Sequence, residues 1–371
     1  MNGFGFRLIC CAAAGVLDQL FADPRMMHPI CLIGRLIGWA QRWTRQLFPK
    51  TKGGERAAGV YLVVFVLLVV AAVVCTVTVG AYRIHPACGV AVESVLLFYA
   101  LAEKSLEQES RAVYRALNAE GLERGRQAVS MIVGRDTESL SEEGVIKATV
   151  ETVAENTSDG VIAPLFFALL GGAPLAYFYK AVNTMDSMVG YRNEEYQYYG
   201  TAAARLDDAV NFIPARLSAI CMLLALALAK PFGDLRRKRQ SRDREDGRAF
   251  GFFGRAQGIA AKARQKNRYG ISGEWRKQRM RDIFRIYRKY CRSHASPNSA
   301  QIESVMAGAL GVELAGPACY FGVLYPKPVI GEKTRALERA DILRSISILR
   351  ATAYLFWLFG VIMLGALWMF S

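Results

Sequence analysis

The stretch AAGVYLVVFVLLVVAAVVCTVTVG, residues 57–80, has no charged side chain and is built mainly of Val, Leu and Ala. At ~1.5 Å rise per residue a helix of this length crosses a ~30 Å hydrocarbon core with room for tilt. The bilayer is therefore one of the solvents of this protein. Residues 351–370 repeat the pattern, uncharged, with Trp357 and Trp368 as interfacial anchors. Four weaker runs are residues 8–21, residues 88–102 around Glu93, residues 161–179, and residues 209–229 around Arg216. The third carries Pro164, Gly171, Gly172 and Pro174, which predicts two half-helices or a re-entrant hairpin. Residues 103–150 are polar, with Leu106, Val113 and Leu117 between charges, and predict soluble amphipathic helix. The fold class expected is all-α: a multipass integral membrane helical protein with cytoplasmic helical segments, residues 1–371 forming one membrane domain.

Composition agrees with the bilayer reading. The chain of 371 residues is 53% hydrophobic and 21% charged, with a mean hydropathy of +0.17, which excludes a disordered chain. Its net charge of +15 is confined to one place: residues 230–292 hold 21 Lys and Arg against 6 Asp and Glu, so the remainder is neutral. Beside a membrane such a block predicts a cytoplasmic loop facing anionic lipid, not a nucleic-acid surface. The same rule puts residues 50–56 and 335–350 in the cytoplasm. If residues 161–179 and 209–229 both crossed fully, the polar stretches 151–159 and 180–208 would lie on opposite sides, so one or both are expected to be incomplete spans. The eight cysteines include no CxxC pair, and several sit in apolar runs where Cys acts as a small hydrophobe, so no disulfide framework is expected. The apolar start could be a signal peptide, but the polar motif that follows at once argues against cleavage.

Three blocks carry the chemistry: ATVETVAENTSDGVIAPLF (148–166), YKAVNTMDSMVGY (179–191) and RLDDAVNFIPARL (205–217). On a helix Glu151 and Glu155 share a face about a turn from Asp159, with Asn156 on the adjoining face. Lys180, Asn183 and Asp186 step by three with Ser187 beside them, and Arg205, Asp208 and Asn211 repeat the step. Any one of these could be a helix end or an internal ion pair. As a set, ionisable groups near a bilayer mark function, because each costs ~2.5 to 3.5 kcal/mol at the centre on insertion scales. Clustered Asp, Glu and Asn suit Mg²⁺, whereas Lys180, Arg205 and Arg216 suit phosphate or carboxylate, which together is a ligand set for phosphoryl chemistry. Two proline-bounded turns flank the blocks: DQLFADPRMMHP (18–29), with Asp18, Asp23 and His28, and HASPNS (294–299), with His294, Ser296 and Asn298. There is no P-loop, nucleophile elbow or HExxH. A transporter or membrane scaffold whose charges line a pathway or hold partner subunits is the alternative reading, although no repeat is visible.

The stretches DPRMMHPICLIGRLI, ATVETVAENTSDGVIAPLF, YKAVNTMDSMVGY, AARLDDAVNFIPARL and HASPNSAQIESVMAGALGVELAGP, with the region 328–331, resemble the CobD/CbiB family of cobalamin biosynthesis, the adenosylcobinamide-phosphate synthases. They run in order from residue 18 to about residue 331, and the basic stretch from about residue 234 to 280 is longer than the family pattern requires. The resemblance implies an inner-membrane, amide-forming ligase that joins aminopropanol or aminopropanol phosphate to the free propionate carboxylate of adenosylcobyric acid, a corrinoid substrate. Activating that carboxylate implies ATP and Mg²⁺. The roles implied are Glu151, Glu155, Asp159, Lys180, Asp186, His28 and His294 as catalytic candidates, and Glu155, Asp186, Asp207 and Asp208 as metal ligands. Asn156, Asn183, Ser187, Arg205, Asn211, Arg216, Ser296 and Asn298 are the candidates for substrate. The partners implied are membrane lipid and other cobamide-assembly enzymes, with the site and the basic loop facing the cytoplasm.

Overall fold

The computed structural model describes residues 3–21, 28–191, 193–247, 280–320 and 322–369. Asp23 and most of the basic loop lie outside the described residues.

The decisive apolar run becomes α3 (Lys52–Ile84), whose N-terminus is capped by Thr51 Oγ1 accepting from Gly54 N–H at 3.1 Å. Pro86 ends it, because the residue before a proline is driven out of helical geometry: His85 is extended. Its Nδ1 caps the next helix, α4 (Pro86–Ala100), which packs back on α3. Along α3, Leu62, Val66, Val70 and Val74 are buried while Val60, Val64, Leu68, Val73 and Val77 are exposed. That bare apolar face is what lipid would cover. α1 (Gly3–Leu20) lies against α4, and α2 (Pro29–Leu47) against α3. Five segments among the described residues are long and apolar enough to cross a membrane: Lys52–Ile84, Pro86–Ala119, Glu142–Val189, Phe212–Ala229 and Ala340–Met369. The chain is a multipass helical membrane protein.

One of those five does not run straight. α7 (Glu142–Asn156) passes through a π-helical turn, Thr157–Ile162, into α8 (Ala163–Val189), and α8 breaks at Gly171 and Gly172, the latter at φ +66°. Phe167 and Tyr179 would be ~18 Å apart along a continuous helix. Instead their rings stack with centroids 5.4 Å apart. The chain folds back at the two glycines, so the break at Pro164, Gly171, Gly172 and Pro174, expected as two half-helices or a re-entrant hairpin, is present as two half-helices packed back on each other. Its broken backbone is satisfied from both sides. Arg7 Nη1 donates to the Leu170 carbonyl at 2.8 Å, and Glu93 Oε1 accepts from Ala173 N–H at 3.0 Å while its other oxygen takes the Tyr82 hydroxyl at 2.7 Å. Each charge meets the helix end that its sign favours.

The polar stretch after α4 is not one amphipathic helix. It divides into α5 (Glu103–Ala119), α6 (Leu122–Ser130) and α7, and α7 is buried from Val145 to Ala154 except at half-buried Lys147. α9 (Thr201–Val210) and α10 (Phe212–Gly247) meet at Asn211. α11 (Met280–Tyr290) and α12 (Ser299–Leu310) follow, then two small antiparallel ribbons. β1 (Leu314–Ala315) pairs with β4 (Val329–Ile330), and β2 (Ala318–Tyr320) with β3 (Val323–Tyr325). α13 (Ala340–Met369) closes the described chain.

Apolar side chains form two clusters. The first joins α1 to α4, α8 and the far half of α13; the second joins α5, α6, α7, α10, α11, α12 and the near half of α13. α13 threads both, with Ile342, Ile346 and Leu349 in one and Phe356 and Leu364 in the other. The π-helical turn sits where the clusters meet, and there the polar residues collect.

Candidate active site

A polar cleft of about 160 Å³ opens at the C-terminal end of α7. Its floor is Glu151, Thr152, Glu155 and Asn156; the loop 132–135, His294 with the start of α12, and the ribbons wall it in. Glu151 ties these parts together, because its carboxylate pairs with Arg135 and accepts from Ala315 N–H. Ala315 is held at φ +57°, a left-handed conformation that a residue with a Cβ adopts only under constraint. Glu151 is thus committed to holding the wall. Glu155 is solvent-accessible in the cleft, and among the described residues no hydrogen bond or ion pair engages its carboxylate.

Across the cleft stand three groups that the sequence reading did not assign. Lys327 Nζ donates to Tyr320 Oη at 3.0 Å. Desolvation works to lower the Lys327 ammonium, but the Tyr320 oxygen and the Glu155 and Glu303 carboxylates hold it above its ordinary range. Arg135 adds a second cation. Glu303 is buried, and its Oε2 has no hydrogen-bond partner. Burial first, then the charges of Glu155 and Glu151, push its carboxyl well above the usual range, which favours the protonated form. His294 lies 3.9 Å from that oxygen. The Pro328 carbonyl, 3.3 Å from Nε2, can only accept, so Nε2 carries the hydrogen and Nδ1 accepts from Ser299 Oγ at 3.1 Å. Burial lowers the imidazole from its ordinary value, leaving it neutral.

Behind the cleft the carboxylates continue. Asp159 has Asp207, Glu155 and Lys180 as electrostatic neighbours, and Asp186 has Asp208 and Glu155, so the three sequence blocks meet in one place. The re-entrant hairpin achieves this by returning residues 180–186 to the level of residues 151–159. Asp207 Oδ2 accepts from Asn211 Nδ2 at 3.0 Å, and Asn183 donates to the same carboxylate, yet Oδ1 is buried and unpartnered. Burial and the charge of Asp186 raise the Asp207 carboxyl to about 7. Tyr179 Oη donates to Asn211 Oδ1 at 3.0 Å, fixing the joint between α9 and α10.

Other candidates have structural partners. Asp208 Oδ1 accepts from Ser296 Oγ at 2.7 Å, its carbonyl accepts from Asn298 Nδ2 at 2.8 Å, and Arg216 donates to Asn298 Oδ1 at 3.3 Å and to the Phe212 carbonyl at 2.6 Å. These bonds pin the HASPNS turn to α9. Arg205 is exposed on α9, and exposed Ser187 donates back to the Asn183 carbonyl at 2.9 Å. His28 caps α2 by accepting from Ile30 N–H at 3.2 Å and packs edge-on against Tyr99. None of those contacts reaches the cleft.

Among the described residues no three His, Cys, Asp or Glu side chains form a ready-made metal cage. Mg²⁺ seldom uses one, since it keeps several waters and takes one or two carboxylates plus phosphate oxygens. The unengaged Glu155 and the orphaned Asp207 Oδ1 fit that habit.

A family profile described as CobD/Cbib protein matches residues 11–349. A "Cobalamin biosynthesis protein CobD" of Clostridium perfringens is 36% identical over 341 residues, covering 92% of each chain. One of Geobacter metallireducens is 42% identical over 326 residues, covering 88% of this chain and 86% of its own. The "Cobalamin biosynthesis protein CbiB" of Salmonella typhi is 40% identical over 339 residues, 91% of each. No solved structure matches the chain. With likeness running nearly end to end, this chain belongs to the CobD/CbiB family.

Proposed function

We propose that this protein is an amide-forming ligase of cobalamin biosynthesis that joins aminopropanol, or its phosphate, to the free propionate carboxylate of adenosylcobyric acid. The observation that carries the reading is the cleft itself, where a cationic side (Lys327, Arg135) faces free carboxylate (Glu155) and a buried carboxylic acid (Glu303). An amide does not form from a carboxylate and an amine in dilute water without activation. In the proposed course a carboxylate oxygen of the corrinoid attacks the terminal phosphorus of ATP, giving an acyl phosphate and ADP. The amine nitrogen then attacks the acyl carbon, loses a proton and expels phosphate. Mg²⁺ held by Glu155, Asp186 and Asp207 would neutralise the phosphate oxygens. Lys327 and Arg135 take the transferred phosphoryl charge, Glu155 is placed to receive the amine proton, and Glu303 donates to the departing oxygen. Lys180 and Asp159 form the back of the same site.

The proposed location is the inner membrane, with cleft and basic loop on the cytoplasmic side, where ATP and the soluble substrates are. Purified protein in lipid nanodiscs, given adenosylcobyric acid, aminopropanol phosphate, ATP and Mg²⁺, is expected to form adenosylcobinamide phosphate with one ADP released per amide. Equal product without nucleotide would remove the ligase reading. No product with every component present would return the transporter or scaffold alternative.

A further inference from the structure

Outside residues 230–292 the chain is neutral in sum, yet residues 29–56 alone hold six Lys and Arg against one acid, Glu55. They form α2 and the start of α3. α2 carries three arginines in its 19 residues and is not among the segments able to cross a membrane, although it packs along α3, which is. Its inner face, with Ile33, Ile37, Ala40 and Thr44, is buried; its outer face exposes Leu32, Arg35, Trp39 and Arg42. A face that is half cationic and half apolar suits neither water alone nor hydrocarbon alone. It suits the headgroup level of a bilayer.

α2, α3 and the loop before α9 make a corner. Gln41 Nε2 donates to Tyr196 Oη at 3.0 Å, Thr44 Oγ1 and Tyr199 Oη share a hydrogen bond at 2.8 Å, and Arg45 pairs with Glu195 at 3.1 Å. Within the corner the rings of Trp39, Trp43, Phe65, Tyr61 and Phe48 form an unbroken chain of contacts, with centroids 5.4 to 5.8 Å apart. Further along α3 its bare apolar face continues through Val64 and Leu68. Back towards the start of α3, Lys52 and Arg56 are exposed one turn apart, each with its charge 5.5 Å from the Tyr198 ring centroid. Lys52 opens α3, where the helix dipole disfavours a cation and favours an anion; Glu55 in the same turn is half-buried. Among the described residues no ion pair engages Arg35, Arg42, Lys52 or Arg56. Cations, rings and aliphatic face thus follow one another in tiers.

We propose that this corner binds the headgroup of an anionic phospholipid, its phosphate at Lys52 and Arg56 and its acyl chains along Val64 and Leu68, while Arg35 and Arg42 meet the same headgroup layer. A free phosphate or an acidic protein segment would satisfy the cations and leave Trp39, Tyr61 and the α3 face bare. A lipid meets all three tiers. The site is distinct from the cleft and does not depend on the reaction proposed there.

The test is native mass spectrometry of the full chain in detergent, titrated with dioleoyl phosphatidylglycerol or with dioleoyl phosphatidylcholine, which differ only in headgroup. The first phosphatidylglycerol is expected to bind about tenfold more tightly than phosphatidylcholine or better, and Lys52→Gln with Arg56→Gln to remove that preference. Lys52→Arg with Arg56→Lys keeps both charges and is expected to keep the preference. Arg35→Gln with Arg42→Gln is expected to weaken it by about threefold or more, giving a second pair should the first fail to fold. Deletion of residues 237–277, which removes most of the other basic block, is expected to leave the first phosphatidylglycerol in place. The proposal is overturned by equal affinity for the two lipids, by full preference in either Gln pair, or by loss of the first phosphatidylglycerol in the deletion. Displacement by millimolar inorganic phosphate or by a polyglutamate peptide would make the corner a free-anion or acidic-protein surface and overturn it equally.

Discussion

Lys327 stands between Pro326 and Pro328 at the cleft, kept cationic by Tyr320, Glu155 and Glu303. A cation so placed acts on charge that develops during reaction. Lys327→Met keeps much of the length, removes the charge and is expected to lower kcat/KM by roughly 30- to 100-fold, about 2 to 3 kcal/mol of a hydrogen bond to a charged group, with the unfolding temperature little changed. Steady-state kinetics of the variant in nanodiscs checks this; activity within threefold of the parent removes Lys327 from the phosphate side. Asp207 offers a test that needs no substrate. Its folded carboxyl is raised to about 7 from an ordinary 3.8, so the native state binds more protons than the unfolded chain between those values. Stability from this group is therefore greatest below pH 4 and falls as pH rises through 7. In EDTA the unfolding temperature of the parent is expected to drop over that window, and Asp207→Asn to flatten the drop. An unchanged slope in the variant would assign the pH dependence elsewhere.

At the scale of elements the re-entrant hairpin of α8 is the device that builds the site. A straight helix through residues 163–189 would carry Lys180 and Asp186 far from Glu155; the turn at Gly171 and Gly172 returns them. The turn needs Gly172 at φ +66°, and a Cβ there would also strike Glu93 Oε1. Gly172→Ala is expected to cost ~2 kcal/mol or more, from left-handed strain plus the displaced carboxylate. Glu93→Leu is expected to cost ~2 to 3 kcal/mol by leaving Ala173 N–H and the Tyr82 hydroxyl unmet, and Glu93→Gln distinctly less, because an amide oxygen can still accept. Thermal unfolding in detergent orders the variants. Glu93→Gln as damaging as Glu93→Leu would mean that charge, not acceptance, is what the tip requires.

For the whole molecule the cleft lies at the joint of two apolar clusters, one presenting a lipid-ready face and the other built around buried α7. Deleting residues 237–277 is expected to leave turnover in nanodiscs within about threefold, since every cleft group among the described residues lies outside it, while retention on anionic vesicles weakens by ~1 kcal/mol per surface Lys or Arg lost. A deletion variant that inserts normally and has no turnover would make the loop part of the site. A cysteine introduced in the loop is expected to resist impermeant thiol reagents added to intact cells; labelling from outside would reverse the orientation.

What sequence alone determined rests on local physics. Uncharged length specifies α3 and the far half of α13, the Pro and Gly pattern specifies the break in α8, and the acid–amide blocks name most of the carboxylates, because each signal lies within a few turns of chain. Sequence could not show that residues 103–150 break into three helices, nor that the last of them is buried, since burial of α7 depends on α12 and α13 from the far end of the chain. Nor could it separate free carboxylates from engaged ones. Glu151 and Glu155 look alike four residues apart, and only folding brings Arg135 and Ala315 to the first while leaving the second open. Arg135, Glu303 and Lys327 carry no spacing signal, because partners up to 172 positions away along the chain create their environment. Distance along the sequence hides such pairs, and tertiary packing alone decides which charges meet.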